Sequence, residues 1–168
     1  PGVEPFDTCN CTMMGYGSYQ APIYPGSSGA RCPVNICGGS TGGSENEDGA
    51  GGAALHIVAN SVVLNGAIDM SGNNGDDHGN VPGGGGAGGS VWMEVDGNFQ
   101  GLGIVLCDGG HGGIGNQLRS GPFHVNGGAG GGGRISIVGV MKNVFTGTLT
   151  AKGGAGFVHQ VGDYGYTL

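Results

Sequence analysis

The stretch Gly86-Ala87-Gly88-Gly89-Ser90-Val91-Trp92-Met93-Glu94-Val95 joins a glycine block to an alternating apolar run. The same join occurs twice more. Gly-Ala-Gly-Gly at 49–52 leads into Ala54-Leu55-His56-Ile57-Val58, and Gly-Ala-Gly-Gly at 128–131 leads into Arg134-Ile135-Ser136-Ile137-Val138. Each run is followed by a second that closes on glycine: Gly66-Ala67-Ile68-Asp69-Met70-Ser71-Gly72, then 101–109, then 147–153. The openings lie 37 and 42 residues apart, which sets units at 49–85, 86–127 and 128–156. A period of this size marks stacked supersecondary units, none of which can bury its apolar face alone.

With 44 Gly and 7 Pro in 168 residues, composition alone would suggest a low-complexity, disordered chain. The glycines, however, sit in blocks at 83–89, 109–115 and 127–133, between runs rich in Val, Ile and Leu. Disorder requires apolar residues to be scarce, and here they alternate. No helical apolar spacing persists beyond a turn, and glycine is too frequent for helices to form. The segment from Ile57 to Ile68 reads as short strands broken by Asn and Gly, residues that tolerate the left-handed backbone of sharp corners. The expected fold is all-β, a parallel β-helix or β-solenoid-like domain. A β-sandwich predicts similar strands but gives the glycine blocks no role. The blocks read either as loops or as extended glycine segments packed side by side in the polyglycine manner, and their recurrence in step with the strands favours ordered segments.

Residues 1–45 differ from the repeat domain at 46–168. They hold Pro1, Pro5, Pro22, Pro25 and Pro33 together with Cys9, Cys11, Cys32 and Cys37. Proline at this density excludes helices and interior strands, so an extended, disulfide-pinned arm or cap is expected. The four cysteines most simply make two disulfides of open pairing; zinc is the competing reading and lacks a convincing Cys-x-x-Cys pair. Cys107 reads as a buried thiol or a bond to another chain. Asn10-Cys11-Thr12 is the single N-x-[ST] sequon and makes Asn10 the glycosylation candidate. The chain starts at Pro1 rather than Met, as expected of a processed product or the ordered part of a longer protein.

The net charge is −7, and the five basic residues, Arg31, Arg119, Arg134, Lys142 and Lys152, are spread along the chain. No basic stripe could neutralise phosphates, so no nucleic-acid partner is expected. No apolar run reaches the roughly 20 residues that a membrane-spanning helix needs, so no membrane insertion is expected.

The acidic stretch Asp69-Met70-Ser71-Gly72-Asn73-Asn74-Gly75-Asp76-Asp77-His78 is the best candidate site. Its oxygen-rich side chains loosely echo a calcium loop, with Asp69, Asn73, Asp76 and Asp77 as candidate ligands, against the plainer reading of a solvated turn. No other cofactor is expected. His56, His124 and His159 have no carboxylate or Cys partner at a telling spacing and read as surface or lining residues. Trp92, on an alternating strand, reads as core or inter-rung packing. The G-x-G-x-x-G matches follow from composition, because no βαβ pattern surrounds them.

Two resemblances bear on function. The motifs Asn74-Gly75-Asp76, Asp76-Asp77, Gly110-His111-Gly112 and Arg134-Ile135-Ser136 resemble those of polygalacturonases, β-helical hydrolases that pair a carboxylic acid with a carboxylate. The first two motifs overlap at Asp76 and the third lacks its Lys, both departures from that family's pattern. The stretches Gly88-Gly89-Ser90-Val91-Trp92-Met93, Leu64-Asn65-Gly66-Ala67-Ile68 and Gly130-Gly131-Gly132-Gly133-Arg134-Ile135-Ser136-Ile137 resemble glycine-rich secreted and cell-surface repeat proteins over 49–156. That resemblance implies a β-helix-like domain and no catalysis. The expectation is a non-enzymatic, extracellular or cell-surface structural protein, the repeating subunit of a filament, surface appendage or matrix, with copies of itself and glycans as partners. The alternative is an adhesin or a glycan- or ice-binding module, recognisable by a ladder of Thr that only Thr146, Thr148 and Thr150 approach. A polysaccharide hydrolase stands third.

Overall fold

The computed structural model describes residues 18–29, 49–77, 82–114 and 127–156. Among them the chain forms nine strands and no helix: β1 (Ala54–Ala59), β2 (Val62–Val63), β3 (Ala67–Asp69), β4 (Ser90–Val95), β5 (Asn98–Gly101), β6 (Ile104–Leu106), β7 (Arg134–Val138), β8 (Lys142–Phe145) and β9 (Thr148–Thr150). They assemble into three three-stranded sheets, ordered β1-β4-β7, β2-β5-β8 and β3-β6-β9. Every pair is parallel. Consecutive strands therefore go to different sheets, and each strand pairs with its counterpart one repeat away.

Alternation in the sequence places the interior. Along β4, Val91, Met93 and Val95 are fully buried while Trp92 and Glu94 between them are half-buried. With Phe99, Val105 and Cys107 they make one core, flanked by half-buried Leu55, Ile57, Val62, Ile68, Ile135 and Phe145 from the outer repeats. The Phe99 and Phe145 rings stack with centroids 4.6 Å apart, carrying the core from the second repeat into the third.

The pairing step is not quite constant. Ala54 faces Ser90, a step of 36, whereas Val62 faces Phe99, a step of 37. The difference is absorbed between the strands, where Asn60-Ser61 lies against Asp96-Gly97-Asn98. From the second repeat to the third the step is 44 throughout, as in Ser90 facing Arg134 and Ile104 facing Thr148. The third Gly-Ala-Gly-Gly, at 128–131, is thus two residues out of structural register: Gly130 lies against Gly86 and Gly133 against Gly89.

The glycine blocks form an ordered layer of their own. Segments 70–77, 107–114 and 150–156 leave the strands; segments 49–52, 82–89 and 127–133 lead into them. At the centre, Gly86, Ala87 and Gly88 donate N–H bonds to Asn73, Ser27 and Gly131 at 2.8–2.9 Å, on three separate segments. The next amide, Gly89, returns to the first of these at Met70. One full rotation every three residues, with every bond leaving the segment, is the geometry of an extended left-handed helix packed among neighbours. Segment 82–89 touches five others through such bonds, those at 18–29, 49–52, 70–77, 107–114 and 127–133. That explains why it is almost pure glycine. A Cβ at Gly86 would fall on the carbonyl of Ala50, and one at Gly110 on that of Asn73. At the edge of the layer one position in three suffices, and Gly72 and Gly75 supply it in 70–77.

The corners differ from expectation. Positive φ occurs among the described residues only at Gly101 (124°) and Gly139 (80°), and at no Asn. Asn65 and Ser61 instead act through their side chains, accepting the N–H of Leu102 and Asn98 in the next repeat at 3.2 Å each. A short polar side chain here satisfies a backbone group that the turning chain leaves unpaired.

The layer yields a sharp contrast. Gly86→Ala or Gly110→Ala should destabilise the protein by about 3 kcal/mol or more in urea unfolding, because rigid backbone must move to admit the methyl group. Gly128→Ala and Gly131→Ala, whose added Cβ meets nothing within 4 Å, should change stability by less than about 1 kcal/mol.

Candidate functional site

Three surfaces carry polar or apolar groups beyond what the fold needs. The first is the outer edge of the glycine layer. Asn74 and Asp77 accept the N–H groups of His111 and Ile114 at 2.8 and 2.7 Å, and the Ser71 hydroxyl accepts that of Asp108 at 3.3 Å. One repeat further, Asp108 accepts from Lys152 N–H at 2.7 Å and His111 Nδ1 from Ala155 N–H at 2.8 Å. Positions 71, 74 and 77, like 108 and 111, recur every three residues, so they share one edge of a three-residue helix. These side chains extend the backbone ladder.

This arrangement bears directly on the calcium candidates. Asp69, Asn73, Asp76 and Asp77 are strung along one extended segment rather than wrapped into a loop. The carboxylate of Asp69 turns to its own chain, accepting the Ser71 N–H at 2.9 Å, and the Ser71 side-chain and backbone hydrogen bonds hold its carboxyl below the ordinary value of 3.8. Asp76 engages the layer through its carbonyl, which accepts the Gly83 N–H. Among the described residues no three His, Cys, Asp or Glu side chains converge as a metal site would require. Of the hydrolase-like motifs, Asn74, Asp77 and His111 accept backbone amides from the next repeat.

The second surface is the outward face of the first sheet. His56 stacks on Trp92 with ring centroids 4.0 Å apart and planes 10° from parallel. Its Nε2 lies 2.7 Å from Glu94 Oε1. His56 therefore has a carboxylate partner after all, 38 residues away in sequence, brought near by pairing of β1 with β4. Trp92 packs between repeats, and its indole N–H meets no acceptor among the described residues. Segment 18–29 crosses this face. The Ser136 hydroxyl donates to Gln20 C=O and that of Ser90 to Tyr24 C=O, each at 2.7 Å, with Pro22 buried between them. Gly26 and Gly29 then donate to Gly52 and Gly49. The segment thus runs from the third repeat to the first and straps all three together. Cys9, Cys11, Cys32, Cys37 and Asn10 lie outside the described residues.

The third surface is the pair of ends. Beyond β7, β8 and β9 an open hollow of about 800 Å³ is lined by Phe99, Ile135, Ile137, Val140, Phe145 and Leu149. At the other end β1, β2 and β3 present Leu55, Ile57, Val62, Leu64 and Ile68, all half-buried. Among the described residues these outer strands pair on one side only. The threonines of β9 form no ladder: Thr148 and Thr150 face Ile104 and Leu106, which face Ala67 and Asp69.

Charge is divided along the stack, a pattern that a chain-wide count conceals. Segment 49–77 holds Asp69, Asp76 and Asp77 without Lys or Arg, and 82–114 holds Glu94, Asp96 and Asp108, also without Lys or Arg. Segment 127–156 holds Arg134, Lys142 and Lys152 without Asp or Glu.

No family model matches the chain, and no curated protein or solved structure matches it. The likeness to glycine-rich surface proteins rests on its motifs alone.

Cys107 marks where the core meets the glycine layer. It is fully buried and unbonded. Burial, reinforced by the charge of Asp108, pushes its thiol from 9.0 to about 11. In the native protein it should resist iodoacetamide at about pH 8 and react once the chain is unfolded, as read by mass spectrometry of its peptide. Because the unfolded chain releases this proton first, stability should fall as pH rises from 9.0 towards about 11, and Cys107→Ala should remove that part of the slope.

Proposed function

We infer that this chain is an extracellular structural protein, the repeating subunit of a filament, surface appendage or matrix, with its strands forming the rungs of a β-solenoid-like stack. The observation that carries the reading is the unequal burial of equivalent residues. Val91 and Met93 in the middle repeat are 0% exposed, while their register partners Leu55, Ile57, Ile135 and Ile137 remain half-buried. Each repeat completes its core only with a neighbour on both sides, and among the described residues the outer two have one each. Stacked-repeat proteins that work as monomers close their ends with polar capping units. Among the described residues both ends carry apolar side chains beside strand edges paired on one side only, which favours continuation into another chain.

Two further features support a scaffold over an enzyme. Asn74, Asp77 and His111 of the hydrolase-like motifs are engaged in holding backbone amides, and the described strands and glycine segments bond from one repeat to the next. The clustered cysteines and the sequon fit an oxidising, extracellular setting. Native material imaged by electron microscopy should show filaments or sheets with a regular axial repeat. A strictly monomeric species in light scattering across micromolar to millimolar concentration would refute this function.

A further inference from the structure

The geometry points to a polar, head-to-tail contact in which the basic third repeat of one copy seats on the acidic first repeat of the next, with Lys152 beside Asp69 across the junction. This inference rests on the self-assembling reading above and specifies how the two ends meet. Three arrangements could join the open ends: third repeat to first, first to first, or third to third. The last two bring like charges together, Asp69, Asp76 and Asp77 against themselves, or Arg134, Lys142 and Lys152 against themselves. Like charges brought together at a contact cost free energy, whereas opposite ones steer association and fix orientation.

Register decides which residues meet. Within the chain, Asp69 pairs with Leu106, and Leu106 with Thr150. A first repeat continuing the stack beyond β9 would take the next place in this row, setting Asp69 of the second copy beside Thr150 of the first. Lys152 lies two residues on, within reach of a carboxylate on the adjacent strand about 4.8 Å away. Both side chains are exposed. The apolar surfaces agree with the same placement. The hollow lined by Ile135, Ile137, Phe145 and Leu149 would receive Leu55, Ile57, Leu64 and Ile68, the same classes of side chain that the second repeat presents to the third. Parallel pairing is preserved only if the second copy points the same way as the first. Such a heterologous contact does not close on itself and generates a filament with a direction.

The test uses the full chain, with Lys152→Glu and Asp69→Lys as single variants, assayed by sedimentation and negative-stain microscopy. Circular dichroism confirms that each remains folded. Each variant alone should need at least about tenfold higher concentration to assemble, because like charges now meet at the junction. Mixed in equal amounts they should co-assemble near the wild-type concentration, since each supplies the end that the other lacks. Wild-type assembly should also weaken as salt rises from about 0.05 M to about 0.5 M. Filaments that form equally well from either variant, or that ignore salt, would overturn the charged head-to-tail junction while leaving self-assembly standing. Wild-type protein that never assembles would overturn both. Should either variant fail to fold, the salt dependence of the wild type decides alone.

Discussion

The structure depends on one steric constraint: extended segments can share backbone hydrogen bonds on all sides only where no Cβ stands between them. Segment 82–89 meets that condition most strictly, bonding to five neighbours. Glycine loses more conformational freedom on folding than any other residue, so a layer built from it begins at a disadvantage. The compensation is that nearly every described backbone N–H in the central segments finds an acceptor in a neighbouring segment, and that the layer excludes water from them. The strands and the glycine layer also need each other. The strands set the spacing between repeats, and the layer holds the out-and-back segments that join one rung to the next. Cys107 lies at the junction of the two, its side chain in the core and its carbonyl accepting the N–H of Gly133.

From this follows a structure complete only at its middle. Val91, Met93, Val95, Phe99 and Val105 are shielded because a repeat lies on either side. The outer repeats contain the same kinds of side chain, and among the described residues each has one neighbouring repeat. The strap at 18–29 fastens the repeats laterally through Ser90, Ser136 and the glycine layer, and it leaves the hollow beside β7 and β9 open. A lateral strap, with both ends uncovered among the described residues, suits the self-assembling subunit proposed above.

Much of this was legible in the residues. The join of Gly-Ala-Gly-Gly to an alternating run located β1, β4 and β7, because period-two burial and the need for neighbours both follow from local pattern. The reading of the blocks as side-by-side extended segments also matches the structure. What sequence could not supply was register. Between the second and third repeats the step is 44 where the recurring Gly-Ala-Gly-Gly suggests 42, and within a glycine block nothing marks the two-residue offset. The role of Asn65 was mistaken for the same reason, since a residue suited to left-handed corners is equally suited to accepting an amide from the next rung. The His56 and Glu94 pair was invisible for want of register between the first two repeats, whereas the division of charge could be counted repeat by repeat. A three-residue periodicity in the polar positions 71, 74 and 77 was the available signal for the outer ladder. Of these three positions only Asp77 was among the calcium candidates, whose selection followed acidity and oxygen-rich side chains rather than that spacing.

The central claim is that the glycine blocks are a hydrogen-bonded, load-sharing part of the fold rather than loops. Amide hydrogen exchange measured residue by residue tests it most directly, because composition and sheet content do not affect the outcome. If the layer is as described, the N–H groups of Gly86, Gly88, Gly110 and Gly130 should exchange as slowly as those of Val91 and Met93 in β4, all opening only with the whole fold. Exchange of those glycines at the rate of an unstructured chain, while β4 remains protected, would contradict it.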